Sequence, residues 1–277
     1  PVNPNEESIL GFKCYPSVTE IPGELELIVI VVPAKVVPKI MEDAATKKVK
    51  TAIIISSGFR EIGNNELEEQ LVTTAKKAGM RILGPNCLGV YYSKTGVDTL
   101  FLPETKVLTT GDEVVATPRP LPGNIAIVTQ SGAFGVAALD YLAGRQIGIS
   151  KFVSFGNKCD VTESEMMHYL LYDKETRAIL LYVEDIKHGR EFLRIARKVT
   201  AKKPIVAFKA GRSTAGARAA ASHTGAIAGS DKIYDAAFEQ TGVNRAKDME
   251  EFFDTGKALA MQPPALGSNI GILTDAG

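Results

Sequence analysis

The sequence alternates short, continuous apolar runs with longer amphipathic stretches, and few architectures accommodate that pattern. Leu27-Ile28-Val29-Ile30-Val31-Val32 is followed by a helical stretch from Val36 to Thr46, then by Thr51-Ala52-Ile53-Ile54-Ile55. A second helical stretch from Asn65 to Ala78 leads into the short strand Arg81-Ile82-Leu83. Strands that are apolar at every residue must be covered on both faces, and intervening helices give that cover when the strands run parallel. The expected fold class is therefore α/β, a doubly wound parallel sheet. The alternation resumes with strands expected at 124–129, 151–154, 178–183 and 205–209 and helices at 133–143, 163–172, 190–200 and 231–241.

Between the two runs, residues 106–122 are rich in Thr, Pro and charge without periodicity, which suits an interdomain linker or an edge hairpin. The expected organisation is a first unit at 1–105, a linker at 106–122 and a second unit at 123–262. A third unit is expected to start at 263–277, because Asn269-Ile270-Gly271-Ile272-Leu273-Thr274 repeats the strand-and-turn opening at Asn124-Ile125-Ala126-Ile127-Val128-Thr129. Pro1-Val2-Asn3-Pro4 reads as the end of a strand or the loop after one, so both ends of the sequence look cut.

Composition excludes several classes. With 45% hydrophobic and 23% charged residues in 277, the chain reads as globular with room for two cores. Lys plus Arg equals Asp plus Glu at 32 each, so no net field gathers nucleic acid or an anionic membrane. The apolar runs are too short to span a bilayer, and no signal peptide is expected. Cys14, Cys87 and Cys159 are far apart, which argues against a disulfide framework or structural zinc and fits a reducing cytosol. His168 and His188 have no metal-ligand spacing with a partner, and no metal site is expected.

Three features can carry chemistry. Gln130-Ser131-Gly132-Ala133 ends a strand and opens a helix, where small residues leave backbone N–H groups facing outward to an anion such as phosphate. The bland alternative is an ordinary turn capped by Ser131. The stretch 211–231 is almost entirely small residues around Ser222-His223-Thr224-Gly225-Ala226, and a neutral imidazole nitrogen can attack phosphorus at physiological pH. A solvated histidine in a loop is the alternative. Glu184 follows the most apolar strand and can fix the tautomer of His223, or is a surface carboxylate. All three lie beyond the C-terminal ends of strands in one unit. In the first unit, Val32-Pro33-Ala34-Lys35, Ser56-Ser57-Gly58-Phe59 and Gly84-Pro85-Asn86-Cys87-Leu88-Gly89 follow three successive strands and offer backbone groups to a nucleotide-like ligand. Cys87 reads as a small buried turn residue before it reads as a nucleophile. Neither a Walker A sequence nor G-x-G-x-x-G occurs.

Val32-Pro33-Ala34-Lys35, Gly84-Pro85-Asn86-Cys87-Leu88-Gly89, Gln130-Ser131-Gly132-Ala133, Ser154-Phe155-Gly156-Asn157-Lys158 and Ser222-His223-Thr224-Gly225-Ala226, in this order, resemble the α subunit of nucleoside-diphosphate-forming acyl-CoA synthetases. The ADP-forming acetyl-CoA synthetase branch is most similar, with succinyl-CoA synthetase a more distant relative. The resemblance implies a Rossmann-like CoA-binding domain, truncated before its first strand and Gly-rich turn, followed by a flavodoxin-like CoA-ligase domain. It implies interconversion of acyl-CoA, ADP and phosphate with carboxylic acid, CoA and ATP, through an acyl phosphate and a phosphohistidine at His223. By the same resemblance Glu184 orients His223, and Gln130, Ser131, Gly132 and Gly225 hold phosphate. Coenzyme A is expected at Val32, Pro33, Lys35, Ser57 and Asn86. ADP or ATP with Mg2+ is expected on an ATP-grasp partner, either a β subunit or a fused C-terminal half, within a cytoplasmic oligomer acting on a small carboxylic acid or its acyl-CoA. Two other readings remain open at this point: a CoA-binding regulatory module of an acyltransferase, and a dinucleotide-dependent oxidoreductase suggested by the fold class alone.

Overall fold

The computed structural model describes residues 1–211, 231–263 and 267–275. A hairpin of β1 (Ser8–Ile9) and β2 (Phe12–Lys13) precedes the first α/β unit. That unit runs β3 (Leu27–Ile30), α1 (Val37–Thr46), β4 (Thr51–Ile54), α2 (Asn65–Ala78) and β5 (Arg81–Leu83). Its three strands pair in the order β3-β4-β5, all parallel. The first strand is shorter than its apolar run because the Val32 N–H leaves the ladder and donates to Ser56 Oγ at 3.0 Å. The second helix stops where Gly79 turns left-handed (φ 65°), a conformation that costs glycine little.

The chain continues through β6 (Gly89–Tyr92), β7 (Val97–Asp98) and a hairpin of β8 (Thr105–Val107) and β9 (Glu113–Val115). It then runs β10 (Pro122–Thr129), α3 (Gly132–Gly144), β11 (Ile149–Ser154), α4 (Glu163–Tyr172), β12 (Ala178–Val183), α5 (Gly189–Thr200) and β13 (Ile205–Lys209). Beyond residue 230 come α6 (Asp231–Thr241), β14 (Asn244–Arg245) and α7 (Met249–Met261). Seven strands form the second sheet in the order β14-β13-β12-β10-β11-β6-β7.

Alternate residues of the central strands feed two separate cores, as a period of two requires. Ala126, Val128, Ile179, Leu181 and Val183 face α4, α5 and α6, whereas Ile125, Ile127, Ala178 and Leu180 face α3 and α7. Helix starts are fixed locally. Thr162 and Glu165 form a reciprocal capping box ahead of α4, and Asp248 accepts the Glu251 N–H at 2.8 Å ahead of α7.

Two expectations are corrected. The sheets do not divide at 106–122: β6 runs antiparallel to β11, with Val90 opposite Val153, so residues before 105 complete the second sheet. Of the two readings of 106–122 the hairpin is the one found, β8 with β9, and the start of β10 follows it. Among the described residues, the strand expected at 269–274 does not form. Ile270, Ile272 and Leu273 there are 86% exposed or more.

The two units are joined by backbone. Residues 157–161 run alongside 82–85, with Asn157 N donating to Pro85 O at 2.9 Å, Cys159 N to Gly84 O at 3.1 Å and Val161 N to Ile82 O at 3.1 Å. Gly156 makes this approach feasible: its φ is 51°, and a Cβ there would lie 2.2 Å from the Asn86 carbonyl oxygen. Gly156→Ala should therefore force the two segments apart and lower stability by about 1–3 kcal/mol, measured as a fall in the urea midpoint at unchanged slope.

Candidate active-site cleft

Parallel sheets expose their C-terminal strand ends to a common edge, and here the edges of both sheets face one cleft of ≈ 780 Å³. The first unit contributes Val32 and Pro33 after β3, Ser56 and Ser57 after β4, and Asn86 after β5. The second contributes Gln130, Ser131 and Gly132 after β10, Gly156 and Asn157 after β11, and Glu184 and Asp185 after β12.

The turn after β10 is built to present amides. Ser131 caps α3, its Oγ accepting the Phe134 N–H at 3.3 Å. The N–H groups of Gly132 and Ala133, in the first turn, have no carbonyl four residues earlier in the helix to bond, and both residues line the cleft. The aligned peptides of α3 add a partial positive charge at that end. Gln130 anchors the turn from behind: its Nε2 donates to Asp185 Oδ1 at 2.7 Å, and its Oε1 accepts the Glu184 N–H at 2.9 Å and the Asp185 N–H at 3.3 Å.

Charge is tightly managed around this edge. Burial opposes ionisation of Asp185, but the Lys158 ammonium and the Gln130 amide hold its carboxyl below the usual carboxylate range. Burial likewise opposes ionisation of Glu61, and the Asn157 amide with the Gly58 and Phe59 N–H groups outweigh it. The Tyr182 phenol is pushed up to about 12 by burial and by the nearby Glu184 carboxylate. Lys187 lies on the exposed surface, yet its ammonium folds back onto the carbonyls of Asn157 (3.1 Å) and Lys158 (3.4 Å). Loss of water there and the neighbouring Arg60 charge lower it to about 8.

Of the residues singled out in the sequence, Val32, Pro33, Ser57, Asn86, Gln130, Ser131, Gly132 and Glu184 meet in this one cleft. Lys35 stands apart from its lining, exposed on the single turn Ala34–Val36. His223 and Gly225 lie outside the described residues. His168 is exposed and packs edge-on against Tyr172, and His188 is exposed just ahead of α5. Sequence reasoning missed Arg60, Asn157, Asp185 and Lys187. Asn157 was visible within the motif following β11, whose polar residues directly after an apolar strand were the available signal.

Cys87 lines the cleft but is no nucleophile: its Sγ is buried and donates to Ile54 O at 3.3 Å, and burial pushes its thiol up to about 12. Native Cys87 should therefore resist iodoacetamide at pH 8, whereas in urea, with an ordinary thiol pKa of about 8.5, it should react readily. Peptide mass spectrometry of the alkylated protein reads the difference.

Comparison with known proteins matches two stretches of the chain. Residues 1–93 match the CoA binding domain and residues 122–259 the succinyl-CoA ligase like flavodoxin domain. The chain is 48% identical over 268 residues to the α subunit of acetate–CoA ligase [ADP-forming] I of Pyrococcus furiosus, covering 96% of this chain and 55% of that protein. It is 43% identical to acetate–CoA ligase [ADP-forming] of Methanocaldococcus jannaschii, over 100% of this chain and 37% of that one. Among solved structures it is similar to the dinucleotide forming acetyl-coenzyme A synthetase 1 of Ca. Korarchaeum cryptofilum in complex with phosphate and ADP. That likeness has a TM-score of 0.87 at 42% identity and covers 96% of this chain and 55% of that one. The chain thus spans 37–55% of the length of these relatives.

Proposed function

Because the chain belongs to the family of ADP-forming acyl-CoA synthetases, we propose that it supplies the acyl-CoA- and phosphate-handling part of such an enzyme, and that the cleft between its two sheets is where acyl transfer takes place. The observation that carries this reading is the meeting of two expected ligand surfaces, Val32, Pro33, Ser57 and Asn86 on one wall and Gln130, Ser131 and Gly132 on the other. Coenzyme A lies along the first wall, and phosphate sits on the amides that open α3. A phosphate oxygen attacks the thioester carbonyl, the new C–O bond replaces the C–S bond, and CoA leaves as the thiolate. The ring nitrogen of His223 then attacks phosphorus in the acyl phosphate, releasing the carboxylate and leaving a phosphohistidine.

Glu184, which lines the same cleft beside Gln130, hydrogen-bonds the other ring nitrogen of His223 and holds the reactive tautomer. The phosphoryl group passes to ADP with Mg2+ on an ATP-grasp partner, carried either as a separate β subunit or as a fused C-terminal half. The named relatives act on acetate, and a small carboxylic acid is the substrate class proposed for this chain. Among the described residues no helix is long and apolar enough to cross a membrane, and we place the enzyme in the cytoplasm as an oligomer.

The complete enzyme, incubated with acetyl-CoA and labelled phosphate, should acquire an acid-labile label on His223 that His223→Asn abolishes. A fully active His223→Asn enzyme would refute the reading. Glu184→Gln should slow labelling about 10–100-fold while leaving the KM for acetyl-CoA little changed, as rapid-quench kinetics would show.

A further inference from the structure

The cleft is backed by a lysine that the reaction above leaves without a task. The Lys158 side chain is 0% exposed, and its backbone is left-handed (φ 45°), within the segment 157–161 that joins the units. An ammonium has three N–H donors and no acceptor. Here the ammonium donates to Glu163 Oε2 at 3.0 Å and to the Asp185 carbonyl, and it forms an ion pair with Asp185 Oδ1 at 3.1 Å. The same Asp185 oxygen accepts the Gln130 amide, and the other end of Gln130 accepts the Glu184 and Asp185 N–H groups. The network runs unbroken from the core to the residue preceding Ser131.

Stability alone is a poor reason for this arrangement, since a buried ion pair replaced by apolar groups of similar size leaves many proteins as stable or more so. Its location suggests another. Asp185 and Glu184 both line the cleft, so a phosphate approaching the amides after Gln130 meets two carboxylates, and like charges at short range oppose binding. We propose that Lys158 is a positioning residue for phosphate: it neutralises Asp185 and, through Asp185 and Gln130, fixes the turn that presents the Gly132 and Ala133 amides. This deepens the function proposed above and rests on it.

The test uses the complete enzyme, with acetyl-CoA and inorganic phosphate varied separately. Lys158→Met combined with Glu163→Met removes both members of the most deeply buried pair, so the protein should fold with near-native thermal stability. It takes from Asp185 the ammonium in contact with it and leaves only the Lys187 charge beyond contact distance, and the KM for phosphate should rise about tenfold or more, while that for acetyl-CoA stays within about twofold. Adding Asp185→Asn to the pair should recover most of the phosphate affinity, which a purely structural role would not do. Lys158→Gln, which keeps size and polarity, should give the same KM split and serves if the double variant is insoluble. An unchanged phosphate KM, an equal shift in both KM values, or no recovery with Asp185→Asn overturns the proposal while the acyl-CoA synthetase reading stands. Absence of phosphate-dependent turnover in the unsubstituted enzyme overturns both.

Discussion

The cleft exists because one strand of backbone, 157–161, is laid against another, 82–85. That contact is made by three amide-to-carbonyl bonds, and buried polar groups at its margins make it specific. The Asn157 Nδ2 group donates both to Glu61 Oε2 at 2.6 Å and to Glu68 Oε2 at 2.8 Å, and Arg60 donates to the Asn157 carbonyl at 2.9 Å. Glu68 is only 5% exposed, so losing the Asn157 amide while the units stay joined would leave a buried carboxylate short of a hydrogen bond, and unsatisfied buried groups of this kind are costly. Apolar packing reinforces the contact. Ile53, Ile55, Leu83 and Cys87 of the first unit belong to the same core as Val128, Phe155 and Leu181 of the second.

From this docking follows the electrostatic character of the site. The chain carries no net charge, yet the cleft gathers Glu61, Glu184 and Asp185 beside Arg60 and Lys187. Carboxylates beside an anion site are tolerable when they are engaged elsewhere. Glu61 is tied to backbone N–H groups and Asn157, and Asp185 to Lys158 and Gln130. What the cleft then presents to an anion is the positive end of α3, where small residues keep side chains out of the way.

The regular elements were legible in the sequence because each is governed by local pattern. Both long apolar strands of the second sheet and the helices 65–78 and 163–172 fall where periodicity puts them. β6 was not legible: Gly89-Val90-Tyr91-Tyr92 has no distinctive alternation, and its place is set by a partner some sixty residues away. The rule that functional groups follow parallel strands brought Asn86, Ser131 and Glu184 to one cleft, since that rule depends only on strand direction. Lys35 stands outside that lining, on the short turn Ala34–Val36. Nothing in the sequence links Lys158 to Asp185, and only the three-dimensional pairing of 158, 163 and 185 reveals that they are partners.

The central claim is that an oxyanion binds at the amides following Gln130, across the cleft from Asn86. A crystal of the complete enzyme soaked in selenate, a tetrahedral anion with an anomalous signal, locates such a site without assumption. The account predicts a selenium peak whose oxygens lie within hydrogen-bonding reach, about 3 Å, of the Gly132 and Ala133 nitrogens. A peak elsewhere in the cleft, with those amides turned to other partners, would contradict it.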